Sequence, residues 1–417
     1  MMSLLVLDVM TITCVFTSAL QFDSAKVFRV KPQNEKEVSV MKSLSSLIQP
    51  IDFWYPDTAL HIVKQMEVDF HVSAAQSNTV ESLLQQNGIP YEILFDNLQK
   101  DIEKQLDGDK NDGHSYEQYN EWDKISDWTA RIAKNNSTLV SRIQIGKTFE
   151  NRPIFLLQIG KKNEEGKAIF MDCGVHAREW ISPAFCQWFV KEAISTYGKD
   201  RDMTYILDNM NFYIVPIVNV DGYVWSWTQD RFWRKNRSNA SQSNCIGVDI
   251  NRNFDVAWST ADASRNPCEE IYCGSAPESE PETKAVASFI RSHLSSIKGY
   301  LTMHSYSQMI LFPFGYTYEK TANYNELNEL AKRAVKAIAS LYGKVYKYGT
   351  SASTIYLSSG CSDDWVFNQG IKYSFTFELR DKGKYGFLLP ESQIKPTCQE
   401  IMLAVKLIAS YILNKAL

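Results

Sequence analysis

The chain has 417 residues, is 44% hydrophobic and 12% aromatic, and carries a formal net charge of −4. That length exceeds one ordinary domain, and the apolar content is ample for a packed core, which excludes a disordered chain. Charge is uneven, with nine Lys/Arg against fourteen Asp/Glu in residues 21–110 and 35 against 33 in residues 111–417, a balance that gives no basis for nucleic-acid binding.

Residues 1–20 are largely apolar and end in Thr17-Ser18-Ala19-Leu20. This reads as a secretory signal peptide cleaved near Ala19 or Leu20, although no Lys or Arg precedes the apolar stretch and Asp8 interrupts it. The expected destination is therefore extracellular, by secretion or through a secretory granule. No later segment is expected to span a bilayer.

Residues 26–96 alternate short strand-like and helix-like pieces. Val27 to Val30 predicts a strand and Glu37 to Leu47 a helix; Ile51 to Tyr55 and Met66 to Val72 predict two more strands. Val80 to Gln86 predicts a helix and Tyr91 to Phe95 a last strand. The order βαββαβ suits a small ferredoxin-like α+β domain. An amphipathic stretch from Asn97 to Leu106 leads into Asp107-Gly108-Asp109-Lys110-Asn111-Asp112-Gly113. That polar loop is expected to be exposed and open to proteolytic nicking. Lys110 is the only basic residue between Lys104 and Lys124.

From Tyr116 onward apolar strands alternate with longer helical segments, for example a strand from Phe212 to Val218 and a helix from Glu282 to Leu294. The pattern predicts an α/β domain with a mixed central sheet flanked by helices. Ligands in such sheets bind beyond the carboxyl ends of strands. Two of the six histidines stand there. His176 follows the strand-like Ala168-Ile169-Phe170-Met171, and His304 ends Tyr300-Leu301-Thr302-Met303. His61 and His71 lie in a poorly apolar region, His114 in a polar one, and His293 is expected to be an ordinary helix residue. His176, Glu179 three residues on and the distant His304 can form a three-ligand zinc site with an open fourth position. Spacing alone leaves that reading open, and the His-Glu-x-x-His signature is absent.

Further blocks bear on it. Around the first histidine the chain reads Asp172-Cys173-Gly174-Val175-His176-Ala177-Arg178-Glu179-Trp180-Ile181-Ser182-Pro183. Then come Pro216-Ile217-Val218-Asn219-Val220-Asp221-Gly222-Tyr223, Trp233-Arg234-Lys235-Asn236-Arg237 and Asp249-Ile250-Asn251-Arg252-Asn253-Phe254. His304-Ser305-Tyr306-Ser307-Gln308, Thr354-Ile355-Tyr356, Phe377-Glu378-Leu379-Arg380-Asp381 and Tyr385-Gly386-Phe387-Leu388-Leu389-Pro390 follow. This succession resembles the zinc metallocarboxypeptidases of the A/B type, from about Tyr116 to the C-terminus, and B-type procarboxypeptidases in particular. Some stretches, such as Arg237-Ser238 and Ile290-Arg291-Ser292-His293-Leu294, also resemble the mast-cell A-type enzyme.

The resemblance implies one Zn2+ held by His176, Glu179 and His304, with water in the fourth position. It implies Glu378 as general base and Arg234 as stabiliser of the oxyanion. Asn251 and Arg252 would take the C-terminal carboxylate of a peptide, Tyr356 would close over the bound residue, and Arg178 and Tyr306 would lie on the substrate path. Asp363, within Ser362-Asp363-Asp364-Trp365, would sit at the base of the specificity pocket and select Lys or Arg, with the small Ser351 leaving room for a long side chain. Residues 21–110 would be an inhibitory activation segment, released from the catalytic domain 111–417 by a trypsin-like cut after Lys110. The implied disulfides are Cys173–Cys186 and Cys245–Cys268. Cys273, Cys361 and Cys398 remain, and Ser259 stands where B-type relatives usually carry a partner for Cys273, so at least one free thiol is expected. Asn135, Asn136, Asn236 and Asn239 begin or flank glycosylation patterns, the glycoprotein expectation for an exported chain. A monomer is expected. The alternatives are an A-type enzyme releasing aromatic or aliphatic residues, and a non-catalytic peptide-binding module; the second would need a lost ligand or base, and none is missing.

Overall fold

The computed structural model describes residues 22–46, 51–106, 113–161, 166–240 and 243–415. The expected signal peptide, Lys110 and Ser241 of the third glycosylation pattern lie outside the described residues.

The N-terminal unit runs β1 (Lys26–Val30), α1 (Glu35–Ser43), β2 (Asp52–Tyr55), β3 (Val68–Val72), α2 (Ala74–Gln86) and β4 (Tyr91–Phe95). Its antiparallel sheet has the order β2-β3-β1-β4, the open sandwich expected from the element order. Helix α1 starts two residues before the expected position because Asn34 caps it: the Asn34 side chain accepts from the Glu37 amide, and Glu37 accepts in return from the Gln33 amide. Helix α2 starts six residues early, since Ala74 to Thr79 carries no large apolar side chain and so hides it from a search for apolar periodicity. Phe28, Phe53 and Phe70 fill the core between sheet and helices. Helix α3 (Leu98–Leu106) leads away toward the large unit.

The large unit follows with α4 (Trp122–Asn135), β5 (Val140–Lys147), β6 (Pro153–Ile159), β7 (Lys167–Cys173), α5 (Ile181–Thr196), α6 (Arg201–Asn209), β8 (Met210–Val215), α7 (Val220–Thr228) and α8 (Pro281–Ser292). It closes with β9 (Ile297–His304), β10 (Met309–Phe312), α9 (Tyr324–Tyr342), β11 (Lys347–Thr350), α10 (Ser351–Thr354), α11 (Ser362–Asn368), β12 (Tyr373–Glu378) and α12 (Ile394–Lys415). The sheet is mixed, in the order β11-β10-β12-β9-β7-β8-β6-β5. Its middle strands β8, β7, β9 and β12 are parallel. Both faces are covered, which is why these strands read as almost continuous apolar runs. Ile169, Met171, Leu301, Met303, Phe375 and Phe377 pack under α5, α9 and α12. Phe170 and Tyr300 point to the other face, toward α8 and α11. His293 falls just past the end of α8 rather than within it, with its ring stacked on Phe289.

Helix α12 is the exception to the expectation that nothing could span a bilayer: residues 391–415 are long and apolar enough, yet 61% of the apolar 18-residue window within them is buried in the fold. A core helix does the same. Arg380 pins it through a buried ion pair with Glu400. Disulfides join Cys173 to Cys186 and Cys245 to Cys268. Cys273, Cys361 and Cys398 are buried free thiols, and the Ser259 hydroxyl is in hydrogen-bonding contact with Cys273.

Candidate metal centre and substrate cleft

The parallel rungs of the sheet decide which side chains share a face. Asp172 of β7 is in register with Thr302 of β9, Thr302 with Thr376 of β12, and, two residues on, His304 with Glu378. Side chains two apart in a strand point the same way, so these groups stand together at the carboxyl ends of the strands, where the apolar face turns polar. His176 and Glu179 come from the turn between β7 and α5. That turn needs Gly174, whose φ of +62° and tight approach to Ile217 and Pro183 leave little room for a side chain.

His176 Nδ1 lies 2.7 Å from Glu179 Oε1, and His304 Nδ1 lies 3.1 Å from Glu179 Oε2 and 3.2 Å from His176 Nδ1. Among the described residues this is the one His/Cys/Asp/Glu cluster whose ligand atoms converge, all within 4.8 Å of one another. Behind the rings, His176 Nε2 meets Asp249 Oδ1 at 3.1 Å and His304 Nε2 meets Thr302 Oγ1 at 3.1 Å. Two ring nitrogens backed by acceptors and facing a shared carboxylate are a donor set that fits a divalent zinc ion with an open position. Burial would raise the Glu179 carboxyl, but the two histidines outweigh it and hold it well below its usual range.

Asp249 links this cluster to the arginines. It caps the turn at Ile250–Arg252 by accepting from the Asn251 amide at 2.9 Å, and it accepts from Arg234 Nη2 at 2.8 Å. Burial works to raise its carboxyl, yet Arg234, His176 and Arg252 keep it well below the usual value. Glu378 is in the opposite situation: burial pushes it up to about 8 against the pull of His304. Asp363 is 4% exposed and raised by burial, held by Thr376 and, at 3.4 Å, by the Ser351 hydroxyl.

His176, Glu179, Arg234, Asn251, Arg252, His304, Tyr306, Ser351, Tyr356, Asp363 and Glu378 all line one cavity. Arg178 stands beside it, fully buried, with its guanidinium over the Phe387 ring. Several groups here had drawn no functional reading: Cys361 and the N-terminal unit's Trp54, Tyr55 and Asp57, which line the cavity, and Asp249, which stands behind His176 and Arg234. Only Asp249 had a local signal, as the natural cap before Ile250-Asn251-Arg252.

The N-terminal unit fills this cleft. Asp57 Oδ2 sits 2.7 Å from Arg252 Nη2 and 3.5 Å from Arg234 Nη2, and Asp57 Oδ1 meets His61 Nδ1 at 2.9 Å. His61 stacks on Tyr356, with ring centroids 4.1 Å apart. Asp52 pairs with Arg178 at 2.7 Å, and Asp69 accepts from the Tyr306 hydroxyl at 2.8 Å. Trp54 packs against Phe232 and Phe387. What remains is a cavity of about 70 Å³, enough for a few waters and too small for a peptide residue.

Comparison with known proteins agrees with this arrangement. The sequence profile described as zinc carboxypeptidase matches residues 125–404, and that described as carboxypeptidase activation peptide matches residues 28–105. Mast cell carboxypeptidase A of Mus musculus is 57% identical over 404 residues, covering 96% of this chain and 97% of its own length. Carboxypeptidase B of Bos taurus is 54% identical over 415 residues, covering 99% of each chain. The crystal structure of thrombin activatable fibrinolysis inhibitor superposes with a TM-score of 0.90 at 44% identity, covering 94% of this chain and 100% of that one.

Proposed function

This chain belongs to the zinc carboxypeptidase family as the zymogen of a zinc-dependent hydrolase, and within that family we propose a B-type enzyme that releases C-terminal lysine or arginine. The observation that carries the specificity is Asp363: a buried carboxylate on the cavity wall beside the small Ser351, with no cationic partner in the chain within ion-pair distance among the described residues. A buried charge of this kind calls for a partner, and the side chain of a bound Lys or Arg meets the need. An apolar side chain would leave it unpaired.

The other roles follow from position. Arg252 already accepts one carboxylate, that of Asp57; a peptide's terminal carboxylate would take the same seat, forked by the guanidinium and joined by Asn251. Tyr356, stacked on His61 in the zymogen, would cover the bound residue instead. His176, Glu179 and His304 would hold the zinc ion, which when bound would supply an acidified water and polarise the scissile carbonyl. Glu378 takes the proton of the attacking water and passes it to the leaving amine. Arg234, held by Asp249, neutralises the charge that develops on the carbonyl oxygen. Arg178 and Tyr306 line the path of the preceding peptide residues. Residues 1–20 direct export, and a trypsin-like cut after Lys110 frees the catalytic domain 111–417 from the segment 21–110.

The test is hydrolysis of two blocked dipeptides, one ending in Arg and one in Phe, by the trypsin-activated protein with and without a zinc chelator. Chelator-sensitive cleavage of the Arg substrate supports the B-type reading. Preference for Phe would replace it with the A-type reading, which the 57% identity to mast cell carboxypeptidase A favours.

A further inference from the structure

We propose that Thr302 and Asp172 form a positioning relay for His304: the hydroxyl, anchored by the carboxylate, fixes the tautomer and plane of the imidazole and so sets how tightly zinc is retained. The inference rests on His304 as a zinc ligand. It begins with an unexplained group. Asp172 is buried, and among the described residues no Lys or Arg pairs with it. It accepts instead from the Tyr300 hydroxyl at 2.6 Å and from the Thr302 hydroxyl at 2.6 Å. A buried carboxylate satisfied only by two hydroxyls is costly to retain, so it needs a task.

Register supplies one. Asp172 and Thr302 are cross-strand neighbours, and His304 stands two residues beyond Thr302 on the same face. A threonine hydroxyl has a single proton. Here it goes to Asp172, which can only accept. The Thr302 oxygen, 3.1 Å from His304 Nε2, is then left as an acceptor, and the imidazole proton must sit on Nε2. The Nδ1 lone pair is thereby turned toward Glu179 and His176. The two histidines are thus supported differently. His176 is backed directly by the carboxylate of Asp249, which Arg234 shares, whereas His304 is backed by a neutral hydroxyl with a carboxylate one step behind.

The experiment measures zinc release from the full-length zymogen to excess chelator, followed with a metallochromic dye. Thr302→Val keeps the shape and removes the hydroxyl; it is expected to release zinc about 10- to 100-fold faster. Thr302→Ser restores the hydroxyl and is expected to stay near wild type, and Leu301→Ala, on the opposite face of the same strand, controls for loosening of the strand alone. Zinc release from Thr302→Val at the wild-type rate would overturn the relay, as would Thr302→Ser or Leu301→Ala releasing zinc as fast as Thr302→Val. His304→Ala separates the premises: if it retains zinc normally, the ligand assignment fails, and if it loses zinc while Thr302→Val does not, only the relay fails. A readout that needs no variant is the nitrogen-15 spectrum of histidine-labelled wild type. A slowly exchanging proton on His304 Nε2 is expected, and a proton on Nδ1 would overturn the proposal.

Discussion

Asp57→Asn tests what holds the zymogen closed. The Asp57 carboxylate is buried and shared among Arg252, Arg234 and His61, at 2.7, 3.5 and 2.9 Å. Asparagine keeps the shape and one acceptor oxygen but loses the charge, and a hydrogen bond to a charged group is worth about 1.5–3 kcal/mol. Taking about 2–3 kcal/mol from the docked state, and tenfold per 1.4 kcal/mol, the open fraction rises about 30- to 150-fold. The assay is hydrolysis of a small blocked dipeptide by uncleaved, zinc-loaded zymogen, which should rise by that factor while the trypsin-activated variant stays at wild-type activity. The pH dependence has a definite sign. Burial alone would raise Asp57, but His61, Arg252 and Arg234 hold it below its ordinary value near 3.8. A group depressed in the docked state contributes stability that is present above about pH 4 and is lost as pH falls through the docked value. Wild-type zymogen should therefore loosen only in acid, and the variant should lack that acid step. Uncleaved Asp57→Asn with no more activity than wild type would refute the reasoning.

Asp363→Leu should lower kcat/KM for an Arg-terminated substrate about 10²- to 10³-fold, the scale set by losing one partner of a buried charge pair, and raise it for a Phe-terminated one; retained Arg preference would remove Asp363 from the pocket base. Glu378→Gln should lower kcat about 10²- to 10⁴-fold, as expected for a general base, with KM little changed, and a variant that weakens KM alone would point to a binding role. Glu400→Ala leaves Arg380 buried without its partner and should lower the stability by about 3–5 kcal/mol, read as a fall in the denaturant midpoint at unchanged slope.

The middle of the fold was legible because burial on both faces leaves short, nearly continuous apolar runs bounded by polar residues. Ala168 to Met171 and Tyr300 to Met303 read as strands, and they lie within β7 and β9. The edges were less legible: the start of α2 is polar, and α1 begins two residues early because Asn34 and Glu37 form a reciprocal cap. Candidate site residues next to strand ends were visible for the same reason as the strands. His176, His304 and Glu378 each follow or end an apolar run. Asp57 and His61 were not, because nothing in Tyr55-Pro56-Asp57-Thr58 or in Ala59-Leu60-His61 distinguishes them locally. Their meaning comes from Arg252 and Tyr356, nearly 200 and nearly 300 residues away.

That distance also explains the one charge asymmetry the sequence displayed. An excess of five acidic side chains in residues 21–110 reads, in isolation, as a solvated acidic surface. Two of those carboxylates are instead spent on the cleft, Asp52 on Arg178 and Asp57 on Arg252 and Arg234, while Asp69, paired with Arg29 of its own unit, also accepts from the Tyr306 hydroxyl. These are the groups proposed to bind a peptide's backbone and terminal carboxylate. The N-terminal unit therefore blocks the cleft with the same chemistry a substrate would bring, and among the described residues it offers no cation to Asp363 within ion-pair distance. The carboxylate seat on Arg252 is filled, while Asp363 has no ion-pair partner among the described residues. A soluble anion that competes for Arg252 should accordingly loosen the zymogen and raise dipeptide hydrolysis by the uncleaved protein.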